Sequence, residues 1–501
     1  MTESSSYRAI LRSSSIIGVA SAISILSGLL RMKAVALILG PSGVGLIGLY
    51  QNLVSTSATI AAVGVGTVGT RQIADAHGNP GDIAAARRAL FWGTLALSMI
   101  GAAIFFLLRG PIATNILADP VQQSVVGWLT IGLALTVMAG SQTALLNGLR
   151  RIGDLARIQV ASGLFGTIIG VTALRLWPGS GLLVLVLIGP LASFAIGHWY
   201  VSKLGPVVGP ATPMRILVKQ WWDMLQLGVA FMLGALVTGL GTIVVRALVQ
   251  RHLGSDELGH FQAAWDIGMT YLTFVLGAMA TDYYPRLAGC IKDSPAACRL
   301  INQQTEIAVL LAGPIILALI ATAPWVIWLL YSADFAPAAE ILRWQLLGDI
   351  FKVLSWPLGF ALLAAGAGRT FVITEAIGVS VFVAGVALGL GRLGVQATGI
   401  AFLAMYCAYL PLVFWIAKLR MNFAWTGTVT RQATWLCAAA ALVAILGHVS
   451  NLATVIVGLS LSAGFGIHAI VKLGDMAELT WPIGKLSKKG HWLRRIFGEG
   501  V

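Results

Sequence analysis

Residues 301–330 read INQQTEIAVLLAGPIILALIATAPWVIWLL, an apolar run in which Glu306 is the only charged side chain. A helix rises about 1.5 Å per residue, so roughly 20 apolar residues cross the ~30 Å hydrocarbon core of a bilayer. The run therefore predicts a transmembrane helix. Comparable runs recur from one end of the chain to the other, and no polar stretch of domain size separates them.

The composition of the whole chain supports the same class of protein. Of its 501 residues, 57% are hydrophobic and only 10% are charged, whereas soluble domains carry about 25% charged residues. A soluble fold is excluded. Long runs without strict alternation favour helices over a barrel, and 58 glycines suit close contact between helices in lipid. The sequence thus predicts an all-α polytopic membrane protein, with an N-terminus that is retained rather than cleaved.

Apolar runs and helix breakers predict about fourteen transmembrane helices with both termini in the cytoplasm. In that orientation, cytoplasmic segments collect 24 of the 33 Lys and Arg residues and external loops receive four, as the positive-inside rule requires. The net charge of +14 then faces anionic lipid and needs no nucleic-acid partner. The longest external loops are expected near Arg109–Ser124 and Gln250–Gly259. The predicted spans are 13–39, 43–69, 88–108, 125–147, 157–177, 181–201, 221–249, 260–285, 301–330, 338–364, 370–391, 395–417, 430–448 and 452–471.

The chain contains a candidate internal duplication. LLRMKAVALILGPSGVG, residues 29–45, is similar to IVVRALVQRHLGSDELG, residues 243–259. Arg31 meets Arg246, and Arg71 meets Arg286, at a spacing of 215 residues, and the turn Gly40–Gly45 meets the turn Gly254–Gly259 at a spacing of 214. This spacing covers six predicted helices, an even number, so both copies have the same orientation. The alternative is a chance similarity between apolar helices. The duplication predicts two pseudo-symmetric six-helix lobes with the substrate path between them and two extra C-terminal helices. The expected divisions are 1–205 and 206–420 for the lobes, 421–472 for the additional helices and 473–501 for a basic cytoplasmic tail.

Five basic residues lie inside predicted spans, where an ionisable side chain costs about 2.5–3.5 kcal/mol on insertion scales. They must face water, a counter-charge or a charged ligand, and a cationic lumen suits an anionic substrate. The alternative is that some of them extend from helix ends to the interface. The five are Arg31, Lys33, Arg246, Arg343 and Lys352, and the candidates for substrate binding among them are Arg31, Lys33, Arg246 and Lys352.

Polar residues form a stripe on the tenth predicted span. Gln345, Asp349, Lys352 and Trp356 follow at spacings of 4, 3 and 4, which places them on one helical face. This face is expected to meet a polar lumen or a partner helix. Asp349 is a candidate for ion coupling, and the alternative is that Asp349 and Lys352 neutralise each other.

A second stripe on the eighth span contains Gln262, Asp266, Thr270 and Thr273. No basic residue lies one turn from Asp266 on that face, so its carboxylate needs a partner from another helix, a cation or a proton. Asp266 is therefore the first candidate for ion coupling. Glu375 in the eleventh span is a weaker candidate, because a loop cation such as Arg369 would satisfy it.

Motifs for catalysis and cofactor binding are absent from the sequence. No GxxxxGK[ST], HExxH or GxSxG pattern occurs, and the four cysteines show no metal-ligand spacing. Residues 64–69 match GxGxxG by letters but lie in an apolar run, where close helix packing is the expected role. The sequence therefore predicts no enzyme activity, no cofactor and no metal site, and it favours a secondary transporter.

Four segments resemble the Wzx-type polysaccharide flippases, with lipid III flippases of the enterobacterial common-antigen kind as the nearest relatives. The resemblance covers roughly residues 10–420. The segments are GLLRMKAVALILGPSGVG at 28–45, TRQIADAHGNPGDIAAARR at 70–88, ELGHFQAAWDIGMTYLTFVLGAMATDYYPRLAG at 257–289 and LRWQLLGDIFKVLSWPLGF at 342–360.

The resemblance implies the fold of the multidrug/oligosaccharidyl-lipid/polysaccharide exporter superfamily, in which two six-helix bundles rock by alternating access. It implies a bacterial inner-membrane protein that moves undecaprenyl-diphosphate-linked oligosaccharide to the periplasmic leaflet, with Arg31 and Arg246 on the diphosphate. Membrane lipids and a polysaccharide polymerase or chain-length protein are the further partners expected. The extra C-terminal helices depart from this family and are similar to those of fourteen-helix peptidoglycan-precursor flippases. Two alternatives remain, an ion-coupled multidrug exporter of the same superfamily and a membrane polysaccharide polymerase or ligase.

Overall fold

The computed structural model describes residues 3–76, 80–177, 179–204 and 214–476, and every regular element in these ranges is helical. The expected basic tail from 477 to 501 lies outside the described residues. Short 3₁₀ turns occur at Pro120–Gln122 and Ala333–Phe335. The α-helices are α1 Glu3–Ala62, α2 Val65–Asp75, α3 Pro80–Leu107, α4 Arg109–Asn115, α5 Gln123–Gly148, α6 Ile152–Leu176, α7 Gly181–Ser202, α8 Met214–Leu253, α9 Ser255–Cys290, α10 Ser294–Leu330, α11 Ala338–Ala364, α12 Gly368–Leu393, α13 Gln396–Met421, α14 Gly427–Leu446 and α15 Asn451–Met476.

Twelve helices within the described ranges are long and apolar enough to cross a membrane. The count is thirteen if α9, which bends by 53° between Gly277 and Asp282, is one broken span. These helices confirm an all-α polytopic membrane protein. The predicted number of fourteen is not confirmed. The numbers differ chiefly because α1, which contains the first two predicted spans, is counted as one helix.

Helix α1 contains two helices joined at Gly40. The backbone of Gly40 has φ +66° and ψ −161°, a conformation that favours glycine, and Pro41 then begins the second half, since a first-turn proline needs no N–H partner. The apolar part of α1 covers 45 residues, about 68 Å of helix, which is twice the thickness of a bilayer core. The break between the first two predicted spans therefore lies where the sequence places it.

Three details of the sequence-based boundaries are wrong. The second span was expected to reach residue 69, but it stops at Ala62, and Gly64 with φ +71° starts α2. Gly64 therefore serves a turn rather than helix packing. The expected loop Gln250–Gly259 is a single residue, Gly254, because helix geometry continues on both sides of it. The first seven residues of the expected loop Arg109–Ser124 form the short helix α4.

Two compact units divide the described chain. The first holds the residues up to Gln262 together with Leu330–Asp334, and the second holds Ala263–Leu329 and the described residues from Phe335 onward. Helices α14 and α15 thus belong to the second unit. The division predicted from the duplication stays a prediction, because compactness of contacts and repetition of sequence are different properties.

Within the second unit, α15 packs on α10 through a glycine and two polar contacts. A Cβ atom on Gly313 of α10 would stand 2.7 Å from the ring of Phe465, so glycine is what permits this approach. Ser462 Oγ donates to the Pro314 carbonyl oxygen at 2.7 Å. Nearer the C-terminal end of α15, Lys472 Nζ lies 3.6 Å from the Glu306 carboxylate.

Arg343 is a buried cation that joins three helices of this unit. Its Nε donates to the Ile320 carbonyl at 3.4 Å, and its Nη1 donates to the Gly447 carbonyl at the end of α14 at 3.4 Å. The Ile320 carbonyl lacks its usual helical donor because Pro324, four residues later, has no N–H. Arg343 therefore satisfies carbonyls that α10 and the end of α14 leave open.

We expect Arg343→Met to loosen the junction of α14 and α15. The two charge-assisted hydrogen bonds are worth about 1.5–3 kcal/mol each, and the methionine leaves both carbonyls without a donor. The purified variant should melt several degrees lower, and hydrogen–deuterium exchange should rise at residues 443–452. Arg392→Met, at an exposed arginine of α12, is the control. Equal exchange in both variants would show that Arg343 does not hold the junction.

Candidate functional site

The two turns that the predicted duplication pairs, Gly40–Gly45 and Gly254–Gly259, contact each other in the first unit. A Cβ atom on Gly45 would stand 2.7 Å from the Gly259 nitrogen and 2.7 Å from the Ser255 carbonyl oxygen. A Cβ atom on Gly259 would overlap the Pro41 carbonyl group. Both glycines are therefore required by close approach of backbone to backbone, in addition to any effect on helix stability.

Arg246 lies directly behind this turn contact. Its side chain is 3% exposed, its Nε donates to Gln262 Oε1 at 3.0 Å and its Nη1 reaches the Thr242 carbonyl at 3.4 Å. The guanidinium carbon is 5.6 Å from the ring centroid of Phe261. A Cβ atom on Gly48 would overlap the Gln262 amide, so Gly48 provides the space for the acceptor of Arg246. In this conformation Arg246 is engaged inside the protein.

The other basic candidates of the first unit lie on the first half of α1. Lys33 Nζ donates to the backbone carbonyl of Tyr331, in the short segment 330–334 that packs with this unit. His260 contacts the same segment through the Asp334 carbonyl at 3.1 Å. Arg31 is half-buried two residues before Lys33. The hydrogen bonds of its backbone carbonyls with Lys33 and His260 therefore hold segment 330–334 to α1 and α9.

The second unit contains a buried polar cluster around Asp349. The Asp349 side chain is 0% exposed, and its Oδ2 accepts a hydrogen bond from Tyr271 OH at 2.7 Å. Its Oδ1 has no hydrogen-bond partner among the described residues, and neither amide atom of Gln345 has one. Gln345 is 1% exposed. The expected stripe on α11 thus faces partner helices rather than solvent.

Lys352 lies in the same cluster but forms no close ion pair. Its Nζ is 3.4 Å from Met269 Sδ and 5.7 Å from the ring centroids of both Phe402 and Tyr406. It interacts electrostatically with Asp349 and with Glu375, but no carboxylate of the described residues lies within ion-pair distance of it. Direct mutual neutralisation of Asp349 and Lys352 is therefore absent in this conformation.

Glu375 of α12 completes the cluster. Its Oε1 accepts a hydrogen bond from Tyr409 OH at 2.6 Å. The neighbouring Tyr406 interacts electrostatically with both Glu375 and Asp349. The loop cation Arg369 was expected to satisfy Glu375, whereas a tyrosine of α13 is its hydrogen-bond partner. We call Gln345, Asp349, Lys352, Glu375, Tyr271, Tyr406 and Tyr409 the α11 cluster.

The family model described as "Polysaccharide biosynthesis protein" matches residues 34–340. The chain belongs to this family. It is 24% identical over 396 residues to the lipid III flippase of Escherichia coli (strain K12). The aligned part covers 77% of this chain and 92% of that protein. The lipid III flippase of Shigella flexneri matches with the same values. The resemblance to polysaccharide flippases is thereby confirmed at the level of the family.

Solved structures show the same fold. The lipid II flippase MurJ in an inward closed conformation superposes with a TM-score of 0.70 at 11% identity, over 91% of this chain and 99% of that one. An inward-facing multidrug resistance MATE transporter of the MOP superfamily gives a TM-score of 0.65 at 16% identity, over 80% of this chain and 94% of that one. The chain therefore has the same fold as these two transporters.

The structure groups some of the sequence candidates. It brings Asp349, Lys352 and Glu375 together, and it places Arg246 beside the paired turns. Asp266 is half-buried on α9, and its carbonyl accepts a hydrogen bond from Thr270 at 2.6 Å; its role in coupling stays a prediction. The roles of Arg31, Lys33, Arg246 and Lys352 in substrate binding stay predictions as well.

Sequence reasoning missed the three tyrosines of the α11 cluster. Each is a phenol in an otherwise apolar span, and a buried phenol usually finds a hydrogen-bond partner. Tyr406 and Tyr409 are three residues apart and share one helix face. That spacing was the available signal, but it does not say which carboxylate the face meets. Within the described ranges, no group of three or more His, Cys, Asp or Glu side chains is placed to hold a metal ion.

Proposed function

We propose that this protein is a flippase that moves an undecaprenyl-diphosphate-linked oligosaccharide from the cytoplasmic to the periplasmic leaflet of the bacterial inner membrane. The observation that carries the proposal is the similarity to lipid III flippases along 92% of their length. A transporter role also fits the absence of a P-loop and of hydrolase motifs from the sequence.

The basic residues of the first unit suit the charged part of such a substrate. A diphosphate that enters the bilayer loses water, and guanidinium groups replace this hydration with charge-assisted, bidentate hydrogen bonds. Arg31 and Arg246 are the proposed ligands, and Lys33 supplies a point charge on the same helix as Arg31. In this proposal Arg246 exchanges its hydrogen bond to Gln262 for hydrogen bonds to the diphosphate.

The contact between the paired turns also suits a mechanism of alternating access. The paired turns are predicted to lie on the periplasmic side, and their glycines let two backbones approach within contact distance. We propose that this contact closes the periplasmic side while substrate loads from the cytoplasmic leaflet, and that it separates for release. A polymerase or chain-length protein would then receive the saccharide in the periplasm.

Depletion of the protein in its native host tests the proposed function. The expected result is accumulation of one undecaprenyl-linked saccharide on the cytoplasmic leaflet, identified by mass spectrometry of extracted lipids, while other polyprenyl-linked lipids stay at their normal levels. Expression of the chain in a strain without its lipid III flippase shows whether the saccharide is of that class. An unchanged lipid profile after depletion would contradict the proposal.

A further inference from the structure

A pocket of about 650 Å³ opens in the second unit, between the end of α13 and the first residue of α10. Its polar lining consists of Ser294, Lys418, Arg420 and Asn422, and none of the described residues that line it is acidic. Each of these four side chains can donate a hydrogen bond, and two of them are cations. The pocket therefore suits an anionic group such as a phosphate, which offers several acceptor oxygens together with the charge.

The apolar part of the lining lies on the same helix face as one of the cations. Spacings of 3, 1 and 3 residues place Trp415, Lys418, Leu419 and Asn422 on one face at the end of α13. Trp415 is 59% exposed and Leu419 is 66% exposed. Exposed apolar side chains of a transmembrane helix contact lipid, and tryptophan is enriched at the level of the headgroups. This face therefore offers both an apolar surface and a positive charge to one ligand.

The two cations of the pocket differ in what they contact. Arg420 Nη2 donates to Thr370 Oγ1 near the start of α12 at 2.9 Å, which positions the guanidinium. Lys418 is exposed, and its ammonium forms no ion pair with any described residue. Asp293, next to the pocket in sequence, accepts a hydrogen bond from the Ala296 N–H at 3.1 Å and so caps α10. The Lys418 ammonium is therefore the group that an incoming anion would bind.

The wall of the pocket is held in place by α10. Asn302, which is 6% exposed, donates through Nδ2 to the Ala424 carbonyl at 3.1 Å and accepts from the Thr426 N–H at 2.9 Å. Cys298 Sγ lies 3.6 Å from the Met421 carbonyl oxygen. These contacts fix the chain that leaves α13 against α10. A ligand therefore finds the pocket formed and loses little affinity to ordering it.

The position of the pocket favours a phospholipid over a soluble phosphate. A soluble anion would use the cations alone, whereas a phospholipid also covers the exposed side chains of Trp415 and Leu419. The end of α13 is predicted to lie on the cytoplasmic side, where the leaflet contains anionic lipids. The charge and the apolar face together therefore indicate an anionic phospholipid as the occupant.

We propose that this pocket binds one anionic phospholipid of the cytoplasmic leaflet. The headgroup phosphate accepts hydrogen bonds from Lys418 and Ser294, and Arg420 adds a second positive charge beside it. The acyl chains lie along Trp415 and Leu419. Because the lipid joins the end of α13 to the start of α10, it stabilises the second unit by mass action. The site depends neither on the proposed flippase function nor on the diphosphate ligands proposed in the first unit.

Native mass spectrometry of the purified full-length protein in dodecyl maltoside tests the site. The protein is titrated with dioleoyl phosphatidylglycerol and, separately, with dioleoyl phosphatidylcholine, whose choline cation offsets the charge of its phosphate. The first phosphatidylglycerol should bind about tenfold more tightly than the first phosphatidylcholine, because two cations line the pocket. Glycerol 3-phosphate in large excess has the headgroup chemistry without the acyl chains, and it should not displace the lipid.

The variants separate this pocket from a general attraction of lysines for anionic lipid. Lys418→Gln should weaken binding of the first phosphatidylglycerol about fivefold, the effect of one cation near an anionic lipid, and Lys418→Arg should retain it. Lys203→Gln is the matched control. Lys203 follows the end of α7, and its ammonium lies 3.2 Å from the ring centroid of Trp199, so this variant makes the same change of charge at another helix end. It should bind the lipid as the wild type does.

Three results would overturn the proposal. The first is equal affinity of the wild type for the two lipids, and the second is an equal loss of binding in Lys418→Gln and Lys203→Gln. The third is displacement of the lipid by glycerol 3-phosphate, which would make the pocket a site for soluble phosphates. If Lys418→Gln cannot be purified, Ser294→Ala decides the question, because it removes the other proposed ligand without a change of charge and should weaken binding about threefold. No saccharide is present, so these outcomes are independent of whether flipping is observed.

Discussion

Replacing Gly259 by alanine is expected to stop transport while the protein stays in the membrane. A Cβ atom there overlaps the Pro41 carbonyl group, and a backbone carbonyl cannot move aside as a side chain can. Overpacking of this kind costs about 3 kcal/mol, which lowers the population of the closed turn contact roughly 100-fold. Gly45→Ala should behave similarly, because its Cβ would lie 2.7 Å from the Gly259 nitrogen.

Complementation of a flippase-deficient strain, with membrane abundance measured by immunoblot, provides the readout for Gly259→Ala. The control is Gly289→Ala on the same helix, because an added Cβ at Gly289 has no atom within 4 Å. Alanine is the better helix former by about 1 kcal/mol, so the control should be neutral or stabilised. Normal complementation by Gly259→Ala would show that close approach of the turns is not needed for transport.

Arg246→Ala is expected to reduce transport about 100-fold. The substitution removes the charge-assisted hydrogen bond to Gln262 at 3.0 Å, worth about 1.5–3 kcal/mol, together with the proposed ligand of the diphosphate. Arg246→Lys should retain part of the activity, because lysine keeps the charge but cannot form two parallel hydrogen bonds. Arg31→Ala should show a similar loss if the duplicated arginines share one role.

Gln262→Leu distinguishes two reasons for the loss in Arg246→Ala. If Arg246 acts on the substrate, Gln262→Leu removes one acceptor of the guanidinium and retains most of the transport. If Arg246 acts through the turn contact, Gln262→Leu loses as much as Arg246→Ala. Arg251→Ala, at an exposed position near the end of α8, is the matched control, and all variants are compared at equal expression. Full complementation by Arg246→Ala would remove this arginine from both roles.

The fold could be predicted from the sequence because its main signal is local. A run such as 301–330 is long enough to span a bilayer whatever surrounds it, and the Gly40–Pro41 pair marks a break by backbone chemistry alone. The single-residue turn at Gly254 could not be predicted. Whether a helix continues through residues 250–259 depends on what its backbone packs against, here the turn at Gly45, and that partner is distant in sequence.

The candidate site was predicted in part for the same reason. The spacing of Gln345, Asp349 and Lys352 places them on one face of a helix without knowledge of any other element. Their partners Tyr271 and Tyr409 come from other helices, and their register against α11 and α12 is set by tertiary packing. Arg246 was recognised by its charge in an apolar run, but its engagement with Gln262 depends on the bend of the chain at Gly254.

The contact between Glu306 and Lys472 has a consequence for biosynthesis. The carboxylate is translated 166 residues before the lysine that lies 3.6 Å from it. At a synthesis rate of about 5–20 residues per second, Lys472 is added roughly 10–30 s after Glu306. During that interval an acidic group would be exposed to the membrane interior or to an insertase. Release of the nascent chain from the insertion machinery should therefore depend on arrival of α15, and a ribosome that stalls before residue 472 would leave a substrate for membrane proteases.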